Sequence, residues 1–416
     1  MILGKYSFGI GDRFGRQGKA QLAALIEASR QGLDITPVWN KSNREHSIIG
    51  TEPADVRREA DDAVASCDWK GAYFVDADHI GLGNVDTFID ASNFFTLDVA
   101  DFIGKPATQE DIAVFVQNHA ALLGSHRIEG MDAPIVIDQS RLESIVSKYL
   151  VAVRRAGMIY RHIEAAKGAG RFITEVSMDE TDQPQTPVEM LVILAAIADQ
   201  GIPAQTIAPK FSGRFNKGVD YVGDVGQFET ELEQDLAVIR FAVKEFGLPE
   251  TLKLSIHSGS DKFSIYGPIH KAIRKFDAGL HLKTAGTTWL EELIGLALAG
   301  GEGLEIAREV YITALDRMDE LCGPYVTVID IDKSQLPTPA EIVKWDGLRY
   351  AAALRHDPSC PQYNPSFRQL LHVAYKVAAE MGPRFLNALE KYEPTIAENV
   401  TANIYERHIR PLFFQE

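Results

Sequence analysis

Leu252-Lys253-Leu254-Ser255-Ile256-His257-Ser258-Gly259-Ser260-Asp261-Lys262 and Gly279-Leu280-His281-Leu282-Lys283-Thr284-Ala285-Gly286-Thr287 are two short runs of strictly alternating polarity. A strand sends successive side chains to opposite faces. Leu252, Leu254 and Ile256 therefore share one face, and Lys253, Ser255 and His257 the other. Leu280 and Leu282 likewise oppose His281 and Lys283. Each run ends in small residues that suit a tight loop, and a helical pattern follows. Two histidines on the polar faces, both near a strand end, point to a metal or proton-transfer site.

The same unit recurs along the chain. Strand patterns fall at Tyr6–Gly11, Asp34–Asn40, Ala72–Asp78, Phe94–Ala100, Arg171–Ser177, Gln205–Phe211, Leu252–His257 and Gly279–Thr284. Helical patterns between them include Gln17–Gln31, Ala54–Ser66, Thr108–Leu122, Thr186–Asp199, Gly226–Phe246 and Ile265–Phe276. Strands alternating with helices imply a parallel sheet, and eight such units imply a closed (β/α)8 barrel. Strand parity supports closure: one face is apolar enough to lie under helices, and the other turns polar toward its C-terminal end. An open doubly wound sheet would bury both faces and read as continuous apolar runs. Residues near 125–170 exceed a minimal barrel, adding a strand-like Pro134–Asp138 and a long helical run, Ser140–Lys167. The expected division is a catalytic barrel over 1–300 and a mostly helical extension, 301–416, packed on it and partly covering its mouth. Tyr325–Asp332 and the breaker Pro337-Thr338-Pro339 interrupt that extension.

The chain's 416 residues, 45% hydrophobic and 24% charged, suit a soluble globular enzyme. A net charge of −16 argues against nucleic acid or an anionic membrane as partner, though not against an anionic substrate in a cationic pocket. No stretch reads as a secretion signal or a membrane span. Cys67, Cys322 and Cys360 are scattered and form no CxxC, as expected of reduced thiols in a cytoplasmic protein. Gly9-Ile10-Gly11 lacks the rest of a dinucleotide fingerprint, and no GKS/T element occurs, so nicotinamide or ATP dependence has no support.

Chemistry concentrates at strand ends. The third strand ends Asp76-Ala77-Asp78-His79, with Asp76 and Asp78 on the inward parity. The fifth carries Glu175, then Ser177 and Asp179. His79, His257 and His281 meeting at one mouth would suit a divalent transition ion with positions open for substrate. Asp78 and Glu175 would then serve as an acid/base pair. A lone strand-end histidine is more often hydrogen-bonded structure, and Asp98, Asp179 and Asp261 stand where helix caps stand. Ser258-Gly259-Ser260-Asp261 and Thr284-Ala285-Gly286-Thr287 offer backbone N–H groups to an anion, or simply turn. Lys210, Arg214, Lys217, Lys262 and Lys283 would add positive charge there. Asn40, Lys41 and His46, in the polar stretch after the second strand, read as a substrate-contacting loop or as solvated surface.

Taken together, PVWNKSNREH (37–46), VDADHIGLGNVDTF (75–88), FITEVSMDE (172–180), APKFSGRFNKGVDYVGD (208–224), KLSIHSGSDKFSIY (253–266) and GLHLKTAGT (279–287) resemble the tagaturonate/fructuronate epimerases. The resemblance runs from the first strand to the eighth and more loosely into the helical tail. It implies a divalent metal ion (Zn, Mn, Ni or Co) and a ketouronate substrate, with the ketohexoses fructose and tagatose as further candidates. It also implies that Asp78 is the proton acceptor, Glu175 the partner acid and His79 a ligand, with His257 and His281 the best matches for the other ligands. The two ketouronates differ at a carbinol carbon β to the ketone, whose C–H is not the acidic one. Retro-aldol cleavage and re-addition, or a hydride or proton shuttle, would each invert it. A class II-type metal-dependent aldolase and a non-catalytic sugar-acid-binding protein are the alternatives, and a homo-oligomer is compatible with either.

Overall fold

The computed structural model describes residues 1–414. Its eight parallel strands, β1 (Tyr6–Ile10), β2 (Ile35–Ser42), β3 (Phe74–Ile80), β4 (Phe94–Asp98), β5 (Ile173–Ser177), β6 (Thr206–Ala208), β7 (Lys253–Ile256) and β8 (Leu280–Lys283), close into one barrel as β8 pairs with β1. The expected (β/α)8 architecture is therefore present. Phe8, Ile10, Trp39, Leu254 and Leu282 face outward into the helical layer and are fully buried. Inside, Leu3, Val38, Phe74, Phe94 and Ile173 form a small separate apolar plug at the N-terminal end. Above the plug the interior turns polar. Ser7, Thr96, Glu175 and His281 are inaccessible to solvent, and Asp76 and Lys283 are nearly so. This is the layered filling of such barrels, with chemistry left to the C-terminal rim.

Two local departures from the sequence reading have clear causes. β6 stops at Ala208 because Pro209 has no N–H to continue a ladder. β3 runs past its expected end, and its register against β4 slips between Ala77 and Ile80. His79 sits at that bulge with φ 54°. Successive strand residues would face opposite sides; the left-handed residue brings both Asp78 and His79 to the rim.

Between β4 and β5 lie an antiparallel pair, Gly124–His126 with Ile135–Ile137, and the 29-residue helix Gln139–Lys167. Beyond the eighth barrel helix, Thr288–Ala299, the chain is almost entirely helical. It packs around that helix and returns through Glu393–Ala402 to Gly18–Arg30, where Thr401 Oγ1 donates to the Ala20 carbonyl at 2.9 Å. Among the described residues no helix is long and apolar enough to cross a membrane. All three cysteines are free thiols.

Candidate active site

A single ammonium organises the barrel interior. Lys283 Nζ lies 2.8 Å from Asp76 Oδ2, 2.7 Å from Asp78 Oδ1 and 3.1 Å from Glu175 Oε1, and donates to Thr96 Oγ1 at 2.7 Å. The Thr96 hydroxyl also contacts both Asp76 oxygens at 3.0 Å. Inward parity on β3, β4, β5 and β8 points all five groups into the barrel interior. Burial favours neutral carboxyls and pushes Asp76 up to about 6 against the pull of Lys283. At Asp78 and Glu175 burial acts the same way, but Lys283 and the neighbouring imidazoles outweigh it and hold both well below the usual carboxylate range.

Toward the rim the cluster continues in imidazoles. His257 Nε2 stands 2.7 Å from Glu175 Oε1, and His79 Nδ1 stands 2.9 Å from Asp78 Oδ1. The two rings lie 5.0 Å apart. Their other nitrogens, His257 Nδ1 and His79 Nε2, have no hydrogen-bond partner of good geometry, although both are buried. Asp179 faces them, with Oδ2 3.2 Å from His257 Nδ1 and Oδ1 3.5 Å from His79 Nε2. Burial would keep both rings neutral, but the carboxylates around them prevail, raising His257 to about 9 and His79 well above the ordinary value.

Two imidazole nitrogens and a carboxylate oxygen within 4.8 Å of one another could hold a divalent ion. Ligands bound at about 2.0–2.1 Å around a tetrahedral ion stand roughly 3.3–3.4 Å apart, and the Asp179 separations bracket that. Each imidazole already has a carboxylate on its far nitrogen, the arrangement that orients metal-bound histidines. Without an ion, the two orphaned nitrogens would be costly features of a buried site. The donor set therefore fits a transition-metal ion.

A pocket of about 120 Å³ opens above these groups. Asp78, His79, Asp179, His257 and Lys283 line one side. The rest of the wall mixes charges, with Arg13, Lys217 and Lys262 beside Glu45 and Glu180; Asn40, Ser258 and Gly286 also line it, and His372 reaches in from the helical extension. Ser258, like His79, is in the left-handed region, at φ 50°. Such non-glycine strain costs on the order of 1–3 kcal/mol and clusters where a site over-determines the backbone.

Of the residues singled out in sequence, the structure brings Asp78, Glu175, His79 and His257 together, and places Asn40, Ser258, Lys262 and Gly286 on the pocket wall. His281 does not join the ligand cluster. It sits one interior layer deeper, with Nδ1 2.9 Å from Ser7 Oγ and its ring against Phe94. Asp179, expected as a possible cap, stands with His79 and His257 in the cluster that could hold an ion; its parity with Glu175 and Ser177 was the signal. The other expected substrate contacts lie elsewhere for simple reasons. Lys41 Nζ donates to the Arg13 carbonyl at 3.1 Å, and His46 is bonded to Thr51 and packed on Phe88. Lys210 does not line the pocket; its backbone N–H donates to Gln185 Oε1 at 2.7 Å. Arg214 is on the surface, paired with Asp330 at 3.2 Å. Thr284 Oγ1 donates to the Gly9 carbonyl, tying β8 to β1. Asp261 is sealed in an ion pair with Arg368 at 2.8 Å. Thr96, Arg13 and His372 were not anticipated: Thr96 shares the inward parity of β4, while the other two arrive only through tertiary packing.

A family model for tagaturonate epimerase matches residues 2–412. The chain belongs to the tagaturonate epimerase family. It is accordingly an isomerase. The tagaturonate/fructuronate epimerase of Thermotoga maritima is 29% identical over 422 aligned residues, covering 97% of this chain and 80% of the relative. Two crystal structures of the fructuronate-tagaturonate epimerase of Cohnella laeviribosi, a glycerol complex and the native form, superpose with TM-scores of 0.81 and 0.79. At 24% identity, covering 99% of this chain and 82% of the other, they share its fold.

Proposed function

We propose that this family member interconverts D-tagaturonate and D-fructuronate with a divalent ion held by His79, His257 and Asp179, and that it acts more weakly on the ketohexoses tagatose and fructose. The observation that carries the reading is the pair of unpartnered imidazole nitrogens facing Asp179 at the pocket floor, with Asp78 and Glu175 directly behind them. A bound ion would supply Lewis acidity toward the ketone oxygen. The residues of the chain would do the rest. Asp78, kept ionised by Lys283, accepts the proton of the carbinol hydroxyl. The bond between that carbinol carbon and the carbon next to the ketone breaks, its electron pair passing into an enediolate. The aldehyde fragment turns over, the bond re-forms on its other face, and the proton returns. Lys283, hydrogen-bonded to Asp78 and close to Glu175, keeps both carboxylates ionised and so ready to accept the proton.

The experiment is direct. Purified protein is treated with chelator, reloaded separately with Mn, Ni, Zn or Co, and assayed for tagaturonate-to-fructuronate conversion. Conversion lost with the metal and restored by reloading is expected. Conversion indifferent to chelator would remove the metal-dependent reading.

A further inference from the structure

Beside the imidazole and carboxylate floor, the pocket wall carries the cations Arg13, Lys217 and Lys262 together with Glu45 and Glu180, and none of these has a role in the bond chemistry above. Lys217 lines it with only one side-chain bond, from Nζ to Ser258 Oγ at 3.0 Å, and makes no ion pair among the described residues. Its acidic neighbours Glu180, Asp179 and Asp78 are all more distant than an ion pair. Arg13 stands near it, another cation, stacked 4.7 Å over Tyr375 and paired with Glu45. Burial, then Arg13, depress the Lys217 ammonium. An incoming anion would offset both by favouring the charged ammonium.

The surroundings fix this cation in place. Lys262 donates from Nζ to the carbonyls of Asn216, Val219 and Ser260 at 2.9, 2.7 and 3.0 Å, pinning the loop that carries Lys217 to the end of β7. Elsewhere on the pocket wall, Gly286 keeps open the space next to His372 and Arg13. A Cβ there would lie 3.3 Å from His372 Nε2 and 3.6 Å from Arg13 Nη2.

We propose that Lys217, assisted by Arg13 on the same pocket wall, where Gly286 leaves room for a ligand, binds the carboxylate of the sugar acid and sets the preference for ketouronates over neutral ketohexoses. This rests on the epimerase reading and deepens it. In the cleavage described above, the carboxylate belongs to the aldehyde fragment. An anchor on that group retains the fragment while its aldehyde turns, so that re-addition competes with escape.

The test compares wild type, Lys217→Met, Lys217→Arg and Gly286→Ala on D-tagaturonate and D-tagatose, which differ in having a carboxylate or a CH2OH group at one end. Steady-state kinetics and calorimetric affinity are measured on the metal-loaded enzymes. For Lys217→Met a rise in tagaturonate KM and Kd of about 10- to 100-fold is expected, the worth of one charge-assisted contact. Tagatose affinity should stay within about threefold, a far smaller free-energy change. Free three-carbon fragments should accumulate with tagaturonate, Lys217→Arg should restore most of the affinity, and Gly286→Ala should weaken tagaturonate selectively. Equal losses on both sugars, or no change on either, would overturn the subsite. Wild type that binds tagaturonate without converting it would remove the epimerase reading alone, and the Kd ratio between the two sugars would still decide the role of Lys217. If Lys217→Met does not fold, Lys217→Gln and Gly286→Ala carry the same comparison.

Discussion

His257 and Asp261 lie four residues apart on one strand-to-helix loop, and each joins a buried cluster of imidazoles and charged groups. The outcomes differ. Around His257, two imidazole nitrogens and a carboxylate converge beside an open pocket, and the nitrogens make no hydrogen bond of good geometry. Around Asp261, the Arg368 guanidinium bonds Oδ2 at 2.8 Å, Thr287 Oγ1 donates to the same oxygen at 2.9 Å, and the backbone N–H donates to His408 Nε2. Arg368 and His408 both belong to the helical extension, and no pocket-lining group is among them. The first cluster presents its free nitrogens to the pocket; the second uses Asp261 Oδ2 to fasten the extension to the barrel, and its unbonded Asp261 Oδ1 faces His356 Nδ1 at 3.8 Å rather than open volume. Residue type and strand-end position do not separate these roles. Whether lone pairs face open volume does.

The largest effect that would sharpen this contrast is on turnover. Asp78→Asn retains the shape of the site but removes the base. A fall in kcat of about 10²- to 10⁴-fold is expected, with tagaturonate binding kept and the unfolding midpoint little changed. Unchanged turnover would show that the rim carboxylate is not the proton acceptor.

The second cluster should answer oppositely. Arg368→Met leaves Asp261 as an uncompensated charge where neither side chain touches solvent. Breaking such a pair costs about 3–5 kcal/mol, measurable as a shift in the denaturant midpoint, while kcat of the folded protein persists. Burial alone would raise the Asp261 carboxyl, but Arg368 outweighs it and holds it well below the ordinary range. A depressed folded value means that the pair's contribution is complete above about pH 3.9 and is lost as pH falls through the lower folded value. The deficit of Arg368→Met relative to wild type should therefore be full at neutral pH.

Metal removal cuts between the two regions. An ion present at about 100 times its Kd stabilises the folded state by about 2.7 kcal/mol. Chelation should lower the melting temperature of wild type and of Arg368→Met alike, and leave Asp179→Asn nearly unmoved. A chelator response that survives in Asp179→Asn would separate the carboxylate from the ion.

Much of this molecule is legible in its sequence. All eight strands follow from alternation, because a barrel strand must present one face to helices and the other to the interior. Asp78, Glu175, His79 and His257 were readable as polar residues at strand ends. Asp179 was harder, since two residues past a strand an aspartate more often caps; only its shared parity with Glu175 marked it. His46 and Arg214 misled because a polar loop after a strand looks alike whether it faces the mouth or the flank. Arg13 and His372 had no local signature at all. One lies in an irregular loop and the other in a helix whose amphipathic pattern reports burial, not which cavity it borders.

His281 gives the smallest effect and the finest discrimination. The alternation that placed it inward was correct, but parity does not resolve depth, and one interior layer separates a rim ligand from a core imidazole. Its Nδ1 is engaged by Ser7 and its ring is wholly buried. Burial depresses it from about 6.5 to about 3, so it is neutral at working pH. For a histidine depressed in the folded state, the unfolded chain takes up the extra proton between these values. Stability is therefore retained above about pH 6.5 and lost on descending toward pH 3, by up to 1.36 kcal/mol per pH unit. His281→Gln preserves a hydrogen-bonding group toward Ser7 and should cost only about 0.5–1.5 kcal/mol at pH 7. Its metal content should match wild type, and its stability deficit should shrink as pH drops below 6.5, because the competing protonation is gone. A variant that loses its metal stoichiometrically would return His281 to the ligand set and displace Asp179 from it.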